Sequence, residues 1–525
     1  MDLSLSVWNW LLALSPVLVV VILMLVFRWG GSRAGGLGWF TAVLAAVLFF
    51  GAGFELLAVA QIKAILLSLD VLLIIWAALL IFNIAREAGA IRMIGKALPL
   101  LTDDPVMQSL LIGWLMVSFL QGMGGFGVPV AVCAPLLVGL GYAPVQAVAM
   151  AAIGHGWAVT FGSLASSFQS LIGVTGLPGE TMAPMSALLL GIACLPSGLL
   201  VAFIGHGWKG FKRAFLPVVL IGGLMAVVQY ALAVNGLWTV GATGASIIGM
   251  GAMFLWLRLP ANRDNKMGNK LESEGEDYVL GRSLLLSLFA YGMLVVLSFS
   301  ISLIEPLNGF LSQVVFSLDF PQTETVLGWV TPAGPGRVIE IFAHPGAILL
   351  YTCVISYLVY RRTGMIKHGA LPGILKRVFK SGVNSSLGIL AMVGVASVML
   401  HSGMTFLLAK GLSESFSRAL YPLVAPFIGG LGAFITGSNN NSNVLFGVLQ
   451  QNAAELMQLS VPLILAAQTA GGALGSVLAP AKVIVGCSTV GLAGKEGEVM
   501  RKLLAFGAIT IGTVALAAWI IHMVQ

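Results

Sequence analysis

Apolar runs of about 20 residues, each long enough for a helix to cross a bilayer, recur from one end of the chain to the other. The pattern predicts ten plain spans, near residues 8–27, 38–60, 64–85, 185–207, 214–234, 236–257, 283–303, 341–360 and 384–405, with a last one beyond Lys502. Two further stretches, 106–170 and 419–494, are apolar enough to lie in a membrane but are broken by glycine and polar residues. Allowing one or three crossings for each, the chain reads as an all-α polytopic membrane protein with about 12 to 16 transmembrane or re-entrant helices.

Charge gives these spans a direction. Arg28 and Arg33 follow the first run, and Arg86, Arg92 and Lys96 follow the third. Further basic loops fall at Lys209–Arg213, Arg258–Arg282 and Arg361–Lys380. Placing these loops in the cytoplasm satisfies the positive-inside bias and puts both termini outside. The mixed-charge stretch 258–282 (Asp264, Glu272, Glu274, Glu276, Asp277) reads as a cytoplasmic linker between an N-terminal half, 1–257, and a C-terminal half, 283–525. The long connection 304–340 falls outside and has Arg337 as its only base. The first run has neither a basic stretch before it nor small-residue cleavage chemistry after it, so it reads as a span and not as a removed signal.

Composition closes off other classes. The chain is 58% apolar and 9% charged, whereas a soluble domain carries about a quarter charged residues. The net charge of +7 comes from bases in short loops, which set membrane orientation and say nothing about nucleic acid. Cys133, Cys194, Cys353 and Cys487 sit apart in apolar runs, without metal or disulfide spacing. The Gly122–Gly127 cluster lacks the Gly-Lys-Ser/Thr ending and strand context of a phosphate loop. No enzyme activity, cofactor or metal is expected, and uphill movement of a solute would draw on an ion gradient or another subunit.

The two broken stretches resemble each other weakly. Phe119-Leu-Gln-Gly and Phe434-Ile-Thr-Gly open them, Pro144 and Pro462 start their second runs, and Gly162-Ser163-Leu164 and Gly475-Ser476-Val477 end those runs. Their charge context runs them through the membrane in opposite senses, as an inverted repeat requires. Gly122, Gly124, Gly125 and Gly127, with Pro129, should unwind a span and turn helix-end N–H groups toward an anion, or else they let helices pack closely. Thr436, Ser438, Asn439, Asn440, Asn441, Ser442 and Asn443 put seven polar side chains in eight positions, as the lining of a site or as the tip of a loop. Lys482, with no local acid, is a candidate counter-charge for a carboxylate or a snorkelling lysine. Gln121 stands beside the glycines as a hydrogen-bonding candidate. His155, His401 and Asp70 are candidates to carry a coupling proton, each with a plainer structural reading: a satisfied histidine, or an ion pair of Asp70 with Lys63.

The motifs are also similar to those of the lactate permease family, bacterial permeases for lactate and glycolate. The likeness runs through Phe119-Leu-Gln-Gly-Met-Gly-Gly-Phe-Gly-Val-Pro129 and on to Gly141. It resumes at Ser402-Gly403-Met404, Thr436-Gly437-Ser438, Ser442-Asn443 to Gln450, Gly471-Gly472, Pro480 and Val490-Gly491 to Glu496. The resemblance implies a many-span carrier of the bacterial cytoplasmic (inner) membrane that imports short 2-hydroxy monocarboxylates with protons. This chain departs from the family pattern by carrying Gln121 and Asn439 where acids are expected, and Lys482 in place of a lysine near Ser476. The expected partners are a small organic anion and a coupling proton, with lactate preferred. The binding set is Gln121, Gly122, Gly124, Gly125, Thr436, Ser438, Asn439, Asn443 and Lys482. Sodium coupling and a passive small-solute channel are the alternatives.

Overall fold

A chain segment that leaves water must pair its own N–H and C=O groups, and a helix does this within one strand of sequence. The computed structural model describes residues 5–27, 29–97, 101–125, 127–259, 276–492 and 496–525. Most of the 258–282 linker, Arg28 and Lys495 lie outside these described residues. The chain opens with α1 (Val7–Leu25), α2 (Gly31–Phe49), α3 (Phe54–Glu87) and the short α4 (Ala90–Ala97). The first broken stretch comprises α5 (Pro105–Leu110), a π-helical turn at Leu111–Met116, α6 (Val117–Gly124), α7 (Val128–Gly139), α8 (Pro144–Gly154) and α9 (Ser166–Thr175). Then come α10 (Gly179–Val234), α11 (Gly241–Arg258), α12 (Glu276–Leu303), α13 (Glu305–Leu311), α14 (Pro345–Arg362), α15 (Leu371–His401) and α16 (Met404–Ser415). The second broken stretch comprises α17 (Tyr421–Thr436), α18 (Asn439–Leu456), α19 (Val461–Ser476) and α20 (Pro480–Thr489), and α21 (Glu496–Val524) ends the chain.

Among the described residues nine helices are long and apolar enough to cross a membrane, or eleven if two bent pairs are included. Helix α10 counts once in that number, yet its 56 residues would extend about 84 Å. Gly207, at φ 63° and ψ −151°, divides it into the two spans expected around the Lys209–Arg213 loop.

Two boundaries differ from expectation. The second and third spans were expected to turn near 61–63, but the turn lies at 50–53, where Gly51 adopts φ 67°. Gln61 and Lys63 ride inside α3 because each has a partner: Gln61 Oε1 accepts from Trp39 Nε1 at 3.0 Å, and the Lys63 ammonium sits 5.1 Å from the centre of the Phe320 ring. Helix α15 likewise starts at Leu371 rather than near 384, carrying Arg377 in an ion pair with Glu87 at the end of α3. The connection 304–340 contains a narrow antiparallel ribbon in which Val315–Phe316, Asp319–Phe320 and Thr323–Glu324 pair with Ile339–Glu340, Gly334–Pro335 and Val330–Thr331.

Both broken stretches fold as a helical hairpin followed by an interrupted helix. In the first, α5–α6 and α7 form the hairpin, its base closed where Tyr142 Oη donates to Pro105 O at 2.7 Å. In the second, α17 and α18 form it, and Tyr421 Oη donates to Gln450 Oε1 at 2.8 Å near the base. The first base shares an end of the molecule with the Asp104–Arg213 ion pair, while the second follows α16, beyond the far end of the 31-residue α15. The hairpins thus enter from opposite ends.

Helices α17 and α19 touch along a seam of glycines. A Cβ on Gly471 would stand 1.9 Å from Pro426 O, and one on Gly475 would stand 2.1 Å from Gly430 O. Close backbone approach of this kind needs small residues. Gly471→Leu should therefore destabilise the protein by about 1–3 kcal/mol or more, read as a lower melting temperature in detergent. Gly223→Ala, with nothing within 4 Å of the added carbon, should melt like the wild type.

Candidate functional site

The breaks in the two stretches meet in the interior. At the tip of the first hairpin the Gly125 N–H donates to Ser163 Oγ at 2.8 Å, and Gln121 lies beside Gly125 and Gly162, only 3% exposed. The interruption after α8 is unusual: Ser163, Leu164 and Ala165 all adopt left-handed φ values of 46°, 59° and 60°. Each such residue costs about 1–2 kcal/mol for an L-amino acid. A run of three persists only where surrounding contacts fix it. The Gly125–Ser163 bond is one of those contacts.

Neutral polar groups join the halves. Thr160 Oγ donates to Thr469 O at 3.1 Å and accepts from Asn439 Nδ2 at 3.1 Å. Asn443 Nδ2 donates to Thr469 Oγ at 2.8 Å and to Ser167 O at 2.9 Å, and Ser167 Oγ donates to Asn440 Oδ1 at 2.6 Å. Behind them Gln468 Nε2 donates to Ser442 Oγ at 3.1 Å, and Ser442 Oγ donates to Gly429 O at 2.7 Å. Several buried atoms find no partner among the described residues: Gln121 Oε1, Asn439 Oδ1, Asn441 Oδ1, Asn443 Oδ1 and His155 Nε2. A buried polar atom left unanswered costs about 1–3 kcal/mol, so these atoms mark where a ligand can contribute.

Lys482 is half-buried in the first turn of α20 and folds back so that its Nζ donates to Ser476 Oγ at 3.1 Å. No carboxylate pairs with it among the described residues. His155 donates from Nδ1 to Ala151 O at 2.6 Å, which leaves Nε2 as a lone pair, and it lies within electrostatic reach of Lys482. Ser438 caps α18 by accepting from Asn441 N, and Thr436 Oγ donates to Gly432 O at 2.8 Å. Helices α7, α9 and α20 begin at the breaks with no side-chain cap, leaving their positive ends open.

Other predicted residues fall elsewhere. Gly122 and Gly124 serve packing, since a Cβ there would meet Thr243 Oγ at 2.4 Å and Phe82 Cβ at 3.2 Å. Asp70 does not pair with Lys63. Its carboxylate accepts from Arg337 Nε at 2.9 Å and His344 Nε2 at 3.0 Å, so its partners come from the long connection and the start of α14. His401 lies at the end of α15 and lines a cavity with Val444 and Leu445 of α18. Thr160, Ser167, Gln468 and Thr469 were not singled out from sequence, although each is a polar residue within an apolar run.

Two cavities flank the joined amides. One, of about 850 Å³, is lined by Thr436, Gly437, Pro480 and Ala481, with Trp29 and Glu496 at its edge. The other, of about 480 Å³, is lined by Val444, Leu445 and Val448 of α18 and by Ile172 to Leu177. Residues 439–443, on the first turn of α18, follow Gly437 of the first lining and precede Val444 of the second in sequence, and they line neither cavity.

Fold and site together define an all-α polytopic membrane protein built around two interrupted hairpin units. The sequence pattern of the L-lactate permease family matches residues 9–525, and the chain belongs to that family. It is similar to the glycolate permease of Escherichia coli strain K12, 28% identical over 523 residues covering 94% of this chain and 91% of the relative. It is also similar to the L-lactate permease of Halalkalibacterium halodurans, 28% identical over 506 residues covering 94% and 92% of the two chains. The L-lactate permease of Bacillus subtilis strain 168 is 27% identical over 553 residues, with 98% and 96% covered.

Thr469 holds both asparagines and Thr160. Thr469→Val should cost about 1–3 kcal/mol of stability by leaving one N–H of each asparagine without an acceptor, the other N–H keeping Ser167 O or Thr160 Oγ, read as a lower melting temperature. Thr513→Val, which breaks only a local bond to Ile509 O on the exposed face of α21, should leave it nearly unchanged.

Proposed function

We propose that the protein is a secondary active transporter of the bacterial cytoplasmic membrane that imports lactate or a related 2-hydroxy monocarboxylate with a proton. The observation that carries this reading is a buried layer of hydrogen-bonded amides and hydroxyls on α18, flanked in sequence by residues that line two cavities, with the Lys482 ammonium unpaired by any carboxylate among the described residues; we take that layer as the partition between the cavities. A carboxylate moved out of water needs a counter-charge, because burying an isolated ion costs several kcal/mol. Lys482 supplies that charge, and the positive dipole ends of α7, α9 and α20, which lack side-chain caps, add to it. The substrate's 2-hydroxyl donates to an unpartnered amide oxygen of Gln121, Asn439 or Asn443, while Gln121 Nε2 and the Ser438 hydroxyl donate to its carboxylate, beside the tip at Gly125. Exposing the partition first to one cavity and then to the other is alternating access. The names of the relatives, permeases for L-lactate and glycolate, support the substrate class.

We assign the coupling proton to His155 through its buried Nε2 lone pair; the neighbouring Lys482 ammonium opposes a second positive charge, so the proton is taken when a substrate carboxylate neutralises Lys482. Asp70, held by Arg337 and His344, has the surroundings of a structural ion pair. Sodium coupling is the second reading. It rests on the unpartnered oxygens of Gln121, Asn439, Asn441 and Asn443, since hard cations take oxygen ligands.

Uptake of labelled L-lactate, glycolate and propionate into proteoliposomes tests both. A proton gradient should drive accumulation of the 2-hydroxy acids, and Lys482→Ala should weaken apparent affinity about tenfold or more. His155→Gln should abolish the response to the pH gradient while exchange of lactate across the membrane persists. Accumulation driven by sodium and lost in Asn443→Ala would favour the second reading; equilibration without accumulation under either gradient would make the protein a passive channel.

A further inference from the structure

The cavity of about 480 Å³ has chemistry of its own. Its lining includes Lys63 from α3, Arg337 from the long connection, and His401, Ser397 and Thr405 at the end of α15 and the start of α16, and it includes no Asp or Glu. Lys63 lies against the Phe320 ring and has no ion pair among the described residues. Arg337 spends its Nε on Asp70, whose other oxygen is taken by His344. Asp70 is thereby already committed to two partners, and among the described residues the lining itself carries bases without an acid. His401 adds something different. Its Nδ1 donates to Ser397 O at 2.9 Å, so the neutral ring presents Nε2 as a lone pair, and that atom is buried without a partner. Only 3% of His401 is exposed.

A positive wall beside a buried acceptor matches a particular kind of ligand. We infer that this cavity is a second binding site for a 2-hydroxy monocarboxylate, separate from the one at the breaks. The carboxylate faces Lys63 and the guanidinium of Arg337, and the 2-hydroxyl donates its proton to His401 Nε2. A simple carboxylate satisfies only the first half of this arrangement, and the histidine then stays unanswered. That difference gives the cavity a preference for hydroxy acids, because a site built to hydrogen-bond a hydroxyl discriminates strongly against the analogue that lacks it. The site lies on one side of the partition, where an anion waits before crossing. The inference rests on the proposed carboxylate transport for its ligand class, but it concerns different residues.

Titration calorimetry of the purified full-length protein with L-lactate and with propionate tests it. The wild type should bind two lactates. Lys63→Ala should remove one site and Lys63→Arg should keep it, each variant being checked by its melting temperature. Lys482→Ala should remove the other site, and the lactate that it still binds should be the one sensitive to Lys63→Ala in the double variant. In the Lys482→Ala background, His401→Leu should reduce the preference for lactate over propionate by about tenfold. A single site in the wild type, unaffected by Lys63→Ala, would overturn the second site and leave the transport reading intact. No binding of either acid to the wild type would overturn both.

Discussion

Where a helix is interrupted inside a bilayer, its freed N–H and C=O groups and the polar side chains around them must find partners, at a cost of several kcal/mol for each failure. In this chain each half supplies what the other lacks. The Thr160–Thr469 bond spans 309 residues of sequence, Asn439–Thr160 spans 279, and Asn443–Ser167 spans 276. Neither broken stretch is complete without the other, and the rest of the helices hold the two in contact. The glycine seam between α17 and α19 belongs to the same constraint, because the amides of α18 reach Thr469 only if α19 lies close behind α17.

The membrane class, most of the plain spans and the two broken stretches were legible in hydropathy, since a 20-residue apolar run has few other uses; the helix at Pro345–Arg362, expected as a span, is not among those apolar enough to cross. The break positions were legible too: Gly125, Gly437 and the Gly162–Ser163 cluster lie at or beside them. Pairings between distant residues were not. Asp70 sits seven positions from Lys63, and its true partner is 267 residues away on a connection whose sequence gives no sign of folding back. Local spacing also misplaced the turn near Gln61, because a polar residue in an apolar run looks like a loop until Trp39 is found beside it. The left-handed run at Ser163–Ala165 has no signature at all, as none of its three residues is a glycine.

The departures from the family pattern take on physical meaning here. With Gln121 and Asn439 in place of acids, the meeting point of the breaks carries hydrogen-bonding groups without negative charge. Under the proposed transport, an anion would meet Lys482 without competition from a carboxylate paired with it among the described residues. The ammonium also ends beside Ser476, where relatives are expected to keep a lysine: six positions along the chain, but one hydrogen bond away in space.

The central claim is that this one ammonium, at this one location, holds the carboxylate. Moving its point of attachment tests it directly. Lactate binding by purified Lys482→Ala, Ser476→Lys and the double variant should show loss at the site of the breaks in the first and recovery in the double variant, to within about tenfold of the wild type. Undiminished binding at that site in Lys482→Ala, or failure of a folded double variant to recover any of it, would contradict the account.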